Sequence, residues 1–291
     1  MEETTENIIL EPEQEQEQEQ EQESINNVID IIPEPVPNLI FIVPYRDREQ
    51  QQQFFSAHMK NILEDLPSHS YKIYYLHQKD DRSFNRGAMR NIGFLAMRAK
   101  YPNDYKNITF VFNDVDTMPF TKNFLQYETT RGNVKHFYGF TFALGGIVSI
   151  KGADFERTGG YPNFWAWGFE DNLLQTRVKD ANLVIDRSQY YPIMDKNIFQ
   201  MKDGLERIVK RSEYERYTSE TAEGFSTIAN IQYSINEDTG FIDVTQFITG
   251  TNDNKKEDIV YDLRNGSRPF QTPLIQLKGS AKRRPTMRMM M

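Results

Sequence analysis

There is no cysteine among the 291 residues, which removes disulfides, thiolate zinc sites and cysteine nucleophiles together. Histidine is almost as scarce: His58, His69, His77 and His136 are the whole supply. Long apolar runs are missing too, the longest being Leu39 to Val43, far short of the ~18 residues that a membrane-spanning helix requires. The N-terminus, MEETTENIILEPEQ, lacks the basic start and apolar middle of a secretory signal. These absences predict a soluble, cytoplasmic protein of a reducing compartment with no membrane span. An excess of positive charge is also lacking. The net charge is -8, and the imbalance is local, because residues 1 to 37 hold eleven Glu, one Asp and no Lys or Arg. The rest is close to neutral, and five basic residues (Lys278, Lys282, Arg283, Arg284 and Arg288) crowd its last stretch. No nucleic-acid partner is expected from such a surface.

What is present divides into three parts. Residues 11 to 23 alternate Glu with Gln, and Pro33, Pro35 and Pro37 follow, so 1–37 reads as a disordered acidic leader. Residues 38–249 alternate short apolar strands with amphipathic segments, the pattern of an α/β domain around a largely parallel sheet. Strands are predicted at 39–44, 71–76, 108–112 and 145–150, and helices near 48–66, 86–100 and 169–181. A hairpin is predicted where 228–235 and 241–248 flank an Asp-Thr-Gly turn. Residues 250–291 read as an extension ending in a basic, Met-rich tail.

Three stretches carry chemistry. The strand ITFVF runs into Asp114-Val115-Asp116, and in an open α/β sheet ligands sit at the carboxyl ends of strands. Two carboxylates one residue apart can serve a divalent cation, or can simply start a turn. Pro44-Tyr45-Arg46-Asp47-Arg48 follows the first strand and Phe84-Asn85-Arg86 the second. These place guanidinium groups suited to a diphosphate at the same edge, although Arg48 also suits a helix surface. Finally, Phe164-Trp165-Ala166-Trp167-Gly168-Phe169-Glu170-Asp171-Asn172 sets both tryptophans of the chain beside two carboxylates. Aromatic faces bind sugar rings and a carboxylate accepts a hydroxyl proton; equally, the stretch could be a core plug capped by a helix start.

The succession VPYRDR, FNRGAMRNIGF, FVFNDVD, LGGIVSI and GGYPNFWAWGFED resembles the β-1,4-galactosyltransferase family, over roughly residues 38–249. The resemblance implies a GT-A type glycosyltransferase fold, Rossmann-like, with a mixed, mostly parallel sheet flanked by helices. It implies an inverting transfer of a hexose or N-acetylhexosamine from a UDP-sugar donor to a hydroxyl of a glycan or glycoconjugate acceptor, with Mn²⁺ or Mg²⁺ as cofactor and a β-linked product. Carried over by position, Pro44, Tyr45, Arg46, Arg48, Phe84 and Arg86 hold the uridine diphosphate. Asp114, Gly146, Trp167 and Glu170 complete the donor site, Trp167, Asp171 and Asn172 face the acceptor, and Asp171 is the catalytic base. Ala143 stands where the family has a bulky aromatic that restricts the donor to galactose, so an N-acetyl group is expected to fit.

The chain departs from the family in three places. Asn172 replaces a second Asp after the Glu, and Ala166 replaces a Gly between the tryptophans. All four histidines lie upstream of the Trp motif, whereas the family has a histidine metal ligand downstream of it, often three residues after a Met. Met194-Asp195-Lys196-Asn197 occupies that place, so the metal ligands implied are Asp116, Met194 and Asn197. The alternative is a degenerate member that keeps the fold as a glycan-binding or structural protein.

Overall fold

The computed structural model describes residues 35–201 and 204–271. The basic Met-rich tail and all but the last few residues of the expected acidic leader lie outside them. In chain order the elements are β1 (Leu39–Tyr45), α1 (Glu49–Ile62), β2 (Tyr71–Gln78), α2 (Arg86–Lys100), β3 (Thr109–Asn113), β4 (Thr117–Pro119), β5 (Asn133–Gly139), β6 (Ile147–Lys151), α3 (Gly152–Arg157), α4 (Glu170–Asp180), β7 (Val184–Asp186), β8 (Tyr191–Pro192), β9 (Ile198–Gln200), β10 (Glu206–Val209), α5 (Arg211–Thr218), β11 (Ala229–Asn236), β12 (Phe241–Ile248) and β13 (Ile259–Asp262).

The main sheet runs β11-β12-β2-β1-β3-β6-β5-β7, with β8 on β5. β12, β2, β1 and β3 are mutually parallel neighbours, while β6 is antiparallel to both β3 and β5. Side chains alternate across the sheet with the period of two that strands impose. In β1, Ile40 and Ile42 enter one core with Ala88, Met89 and Ile92 of α2, whereas Leu39, Phe41 and Val43 enter the other with Phe55, Met59 and Ile62 of α1. Burial on both faces explains why the central strands are continuous apolar runs. Because β1, β2 and β3 are parallel, the segments after them leave the sheet at one edge.

A buried polar network bolts α2 to the loop before α4. Asn85 caps the helix, its Oδ1 accepting from Ala88 N at 2.9 Å, and its Nδ2 donates to Asn163 O at 3.0 Å. Further along the helix, Asn91 donates to Tyr161 O and Asn163 Oδ1 and accepts from Tyr161 N. Gly87 lets the two backbones meet: a Cβ there would lie 2.1 Å from Pro162 O. Gly87→Ala is therefore expected to destabilise the protein by about 1–3 kcal/mol or more, since a main-chain carbonyl has to move. A melting temperature unchanged from wild type would show that the helix and loop are not locked together.

Candidate active site

The sheet edge opens into a cleft of about 920 Å³. Pro44, Arg46 and Arg48 after β1, Phe84 and Arg86 after β2, and Asp114 and Asp116 after β3 all line it. Gly146 at the start of β6 joins them, because antiparallel pairing sets β6 against the end of β3 and Asp114 N donates to Gly146 O. Trp167, Glu170, Asp171, Asn172, Ala143 and Met194 line it as well.

At the centre Arg86 gathers three carboxylates. It donates to Asp114 Oδ2 at 2.8 Å, to Glu170 Oε1 at 2.5 Å and to Asp171 Oδ2 at 2.9 Å. Arg90, one helical turn later, donates to Asp171 Oδ1 at 2.6 Å and Asp114 Oδ1 at 2.8 Å. Burial pushes the Asp171 carboxyl up, but the two guanidinium groups outweigh it and hold it below the usual range. Glu170 goes the other way, raised by burial and by the adjacent Asp171, and its Oε2 is buried without a partner. Asp116 is pushed up to about 6 by burial and by Asp114.

Glu170 and Asp171 open α4, where the helix dipole favours carboxylates. The entry to that helix is strained: Phe169 has φ 71, and its ring is held against Tyr217 at 5.0 Å. Asp171 is set against the loop before β6, its carbonyl accepting from Leu144 N, and a Cβ on Gly145 would lie 2.3 Å from its Oδ2. Asn172 donates to Phe142 O at 3.1 Å and so ties the loop before β6 to α4.

Two residues expected at the site are not brought to it. Tyr45 lies between Pro44 and Arg46 on a strand, so its side chain turns to the opposite face and packs on His77 and Phe241. Asn197 is not among the cleft residues; its amide donates to Asp195 Oδ1 at 3.0 Å. The antiparallel β4–β9 register pairs Thr117 with Gln200 and sets Met201 opposite Asp116, Met201 N donating to Asp116 O at 2.8 Å; Gln200 and Met201 line the cleft with Asp116, and Asn197 does not. Gln200 Oε1 accepts from Tyr138 Oη at 2.9 Å. Met194 is at the cleft, 64% exposed. The tryptophans divide the two readings of their motif. Trp165 is fully buried against Phe247, with Nε1 donating to Thr251 O at 2.8 Å, whereas Trp167 faces the cleft.

Arg46 lines the cleft with its guanidinium on the carbonyls of Asp80 and Arg82. Sequence reasoning missed Arg90 and Gln200, and also the far wall, where Lys255, Asp258, Arg268 and Gln271 line the cleft. The available signal for Arg90 was its helical i,i+4 spacing from Arg86. The far wall is delivered by β13 pairing with β10, two short strands with no periodic signal. Among the described residues, no three His, Cys, Asp or Glu side chains form a ready metal site, and no helix is long and apolar enough to cross a membrane.

Comparison with known proteins agrees with this arrangement. The family model of the N-terminal region of glycosyl transferase group 7 matches residues 5–128, and that of the N-terminal domain of galactosyltransferase matches residues 129–202. Beta-1,4-galactosyltransferase 7 of Drosophila melanogaster is 30% identical over 163 residues, 53% of this chain and 48% of its own length. The xylosylprotein 4-beta-galactosyltransferase of Caenorhabditis elegans is 29% identical over 178 residues, 58% of this chain and 60% of its own. The chain thus spans about half the length of the curated relatives it matches. The fold is that of the Drosophila beta-1,4-galactosyltransferase 7 catalytic domain in complex with xylobiose, with a TM-score of 0.56 at 20% identity over 75% of this chain and 96% of that one. An Asp-to-Asn mutant of that enzyme, solved with manganese, UDP-Gal and xylobiose, superposes with a TM-score of 0.53 at the same identity and coverage.

Proposed function

Since the chain belongs to glycosyl transferase group 7 and resembles its β-1,4-galactosyltransferases, we propose that it is an inverting, UDP-sugar-dependent hexosyltransferase acting on a hydroxyl of a glycan or glycoconjugate. The observation that carries this reading is the convergence of the ends of β2 and β3 and the start of α4 at Arg86, with Asp114, Glu170 and Asp171 around it, in a cleft that the end of β1 also lines.

In the proposed reaction the acceptor oxygen attacks the anomeric carbon as the bond to the diphosphate breaks. The hydroxyl proton passes to Asp171, and UDP leaves from the opposite face. Arg86 has a part in both halves. Without donor it neutralises the carboxylates; with donor its exposed edge turns to the diphosphate, which frees Asp171 Oδ2 to accept the proton. Trp167 offers an aromatic face to a sugar, and the small side chain of Ala143 leaves room for an N-acetyl group on the donor. A cytoplasmic location is part of the same proposal and rests on the lack of cysteine.

The donor set suits a divalent cation shared with the diphosphate. Asp116 is a half-buried carboxylate on the cleft wall, and Gln200, which lines the same cleft, offers an amide oxygen that would have to exchange Tyr138 for the ion. Two protein oxygens completed by phosphate oxygens fit a hard ion such as Mn²⁺ or Mg²⁺. When bound, that ion would neutralise charge on the leaving diphosphate. Gln200→His is expected to tighten Mn²⁺ binding roughly tenfold with little change for Mg²⁺, imidazole being the softer donor. Asn197→His should change neither, because its side chain is not at the cleft. Titration of Mn²⁺ by its EPR signal in the presence of UDP checks both, and the opposite ranking would put the ion elsewhere.

The deciding experiment for the function is release of UDP from UDP-galactose, UDP-GalNAc and UDP-GlcNAc with a panel of glycan acceptors, with and without Mn²⁺. Acceptor-dependent release supports the reading. Glycan binding with no affinity for UDP would identify a degenerate member that retains only the fold.

A further inference from the structure

A fully buried arginine is an expensive way to fill space, and Arg90 is one: its side chain is 0% exposed and it does not line the cleft. A residue of similar volume without charge would pack on the buried Tyr161 ring with no desolvation penalty. What Arg90 does instead is reach under the site. Nη1 holds Asp171 Oδ1, Nη2 holds Asp114 Oδ1, the guanidinium lies 4.7 Å over the Tyr161 ring, and Nε is buried without a partner. Tyr161 is in turn anchored to Asn91 of the same helix. The two arginines therefore divide Asp171 between them, Arg86 on Oδ2 from the cleft side and Arg90 on Oδ1 from the core side.

We propose that Arg90 is a positioning residue for the transfer, a fixed second cation that holds Asp171 and Asp114 in place when Arg86 leaves them for the donor diphosphate. The proposal rests on the function given above. It follows from accessibility: Arg86 borders the cleft and can exchange partners, whereas Arg90 is sealed beneath it and cannot. Without Arg90, departure of Arg86 would leave Glu170, Asp171 and Asp114 facing one another with no internal counter-charge. The carboxylate needed as base would then take up a proton or turn away before the acceptor arrived. The groups that face Asp171 are Arg86 and Arg90 from α2, Asp114 after β3, which shares both arginines with it, Glu170 on its own helix, Tyr161 from the loop before α4, and His136 of β5. The arginines are the cations among them, His136 being held neutral by burial and Arg187, its own pKa lowered to about 4.

The test compares wild type with Arg90→Lys, which keeps a charge but cannot bridge two carboxylates, and with Arg90→Gln, which keeps hydrogen bonding without charge. Three quantities are read: UDP affinity by calorimetry, kcat as a function of pH, and the pH titration of the Asp171 carboxyl by carbon-detected NMR. In Arg90→Lys, UDP affinity should stay within about twofold of wild type while kcat falls roughly tenfold or more. The acid limb of kcat and the Asp171 titration should both move to higher pH, further in Arg90→Gln than in Arg90→Lys. An unchanged carboxyl titration in the two variants overturns the proposal, as does a kcat loss matched by an equal loss of UDP affinity. The carboxyl titration needs no turnover, so a wild-type protein that transfers no sugar refutes the function while this arginine is still judged on its own measurement.

Discussion

Asp171→Asn is expected to lose transfer activity by about 10²–10⁴-fold while binding UDP nearly as wild type does. The range is that for removing a general base. The separation of the two effects follows from where the side chain sits: Asp171 meets Arg86, Arg90 and Gly145, whereas the Asp116 carboxylate proposed for the ion is held by Thr117. Asparagine keeps the size and one acceptor oxygen, so the loop before β6 and the start of α4 need not move. Because Arg86 and Arg90 hold the Asp171 carboxyl below the ordinary range, it is ionised throughout neutral pH. With Arg90 still on Asp171 when Arg86 turns to the diphosphate, Asp171 should contribute no loss of wild-type kcat between about pH 8 and about pH 6; a loss nearer pH 6 belongs to Asp116, which is pushed up to about 6. Single-turnover transfer, together with calorimetric UDP titration, checks the pair of expectations. Full activity in the variant would remove Asp171 from the reaction.

Arg86→Met should be the most destabilising single change at the site. Methionine matches much of the aliphatic stem but leaves Glu170 without its ion-pair partner and Asp114 and Asp171 sharing Arg90. Removing one partner from a buried ionic cluster costs about 3–5 kcal/mol, which in a domain of this size lowers Tm by about 6–20 °C. The pH dependence has a definite sign. Asp171, whose carboxyl is lowered in the folded protein, contributes stability above the unfolded carboxylate range and loses it as pH falls through its folded value. Glu170, raised, does the reverse, costing stability when ionised and relieving the cost as it takes up a proton. With Arg86 gone Glu170 loses its ion-pair partner and Asp171 keeps only Arg90, so both carboxyls rise and acid repairs the variant more than the wild type. The Tm gap should be widest at about pH 7 and narrow toward about pH 5. A gap that widened with acid would mean that the carboxylates are not the groups Arg86 neutralises.

Residue order and spacing alone determined a good deal of this protein. Apolar runs buried on both faces can only be central strands, and helical spacing at Phe55, Met59 and Ile62 marks α1, so the parallel centre of the sheet was readable. Once those strands are parallel, the residues that follow them share one edge. That is why Arg46, Arg86, Asp114 and Asp116 could be assigned to a common cleft from the chain alone. The motif succession likewise identified the family. All of these are short-range or pattern properties, carried by neighbours within a few residues of one another.

The tertiary structure decided what depended on register and on contacts between distant segments. Strand alternation sent Tyr45 to the face opposite Pro44 and Arg46, a two-residue periodicity too local to outweigh the motif match. The β4–β9 pairing put Gln200 opposite Thr117 on the cleft wall and left Asn197 tied to Asp195, because a histidine position inferred by counting from a Met is only as good as the strand register. Trp165 became core and Trp167 cleft because Thr249 and Thr251, more than eighty residues away, receive the first indole. Arg90 drew no reading from the sequence, because its partners come from α4 and the end of β3. A buried charge acquires its meaning from partners that the fold brings from Asp114 and Asp171, and nothing in the local sequence of α2 specifies them.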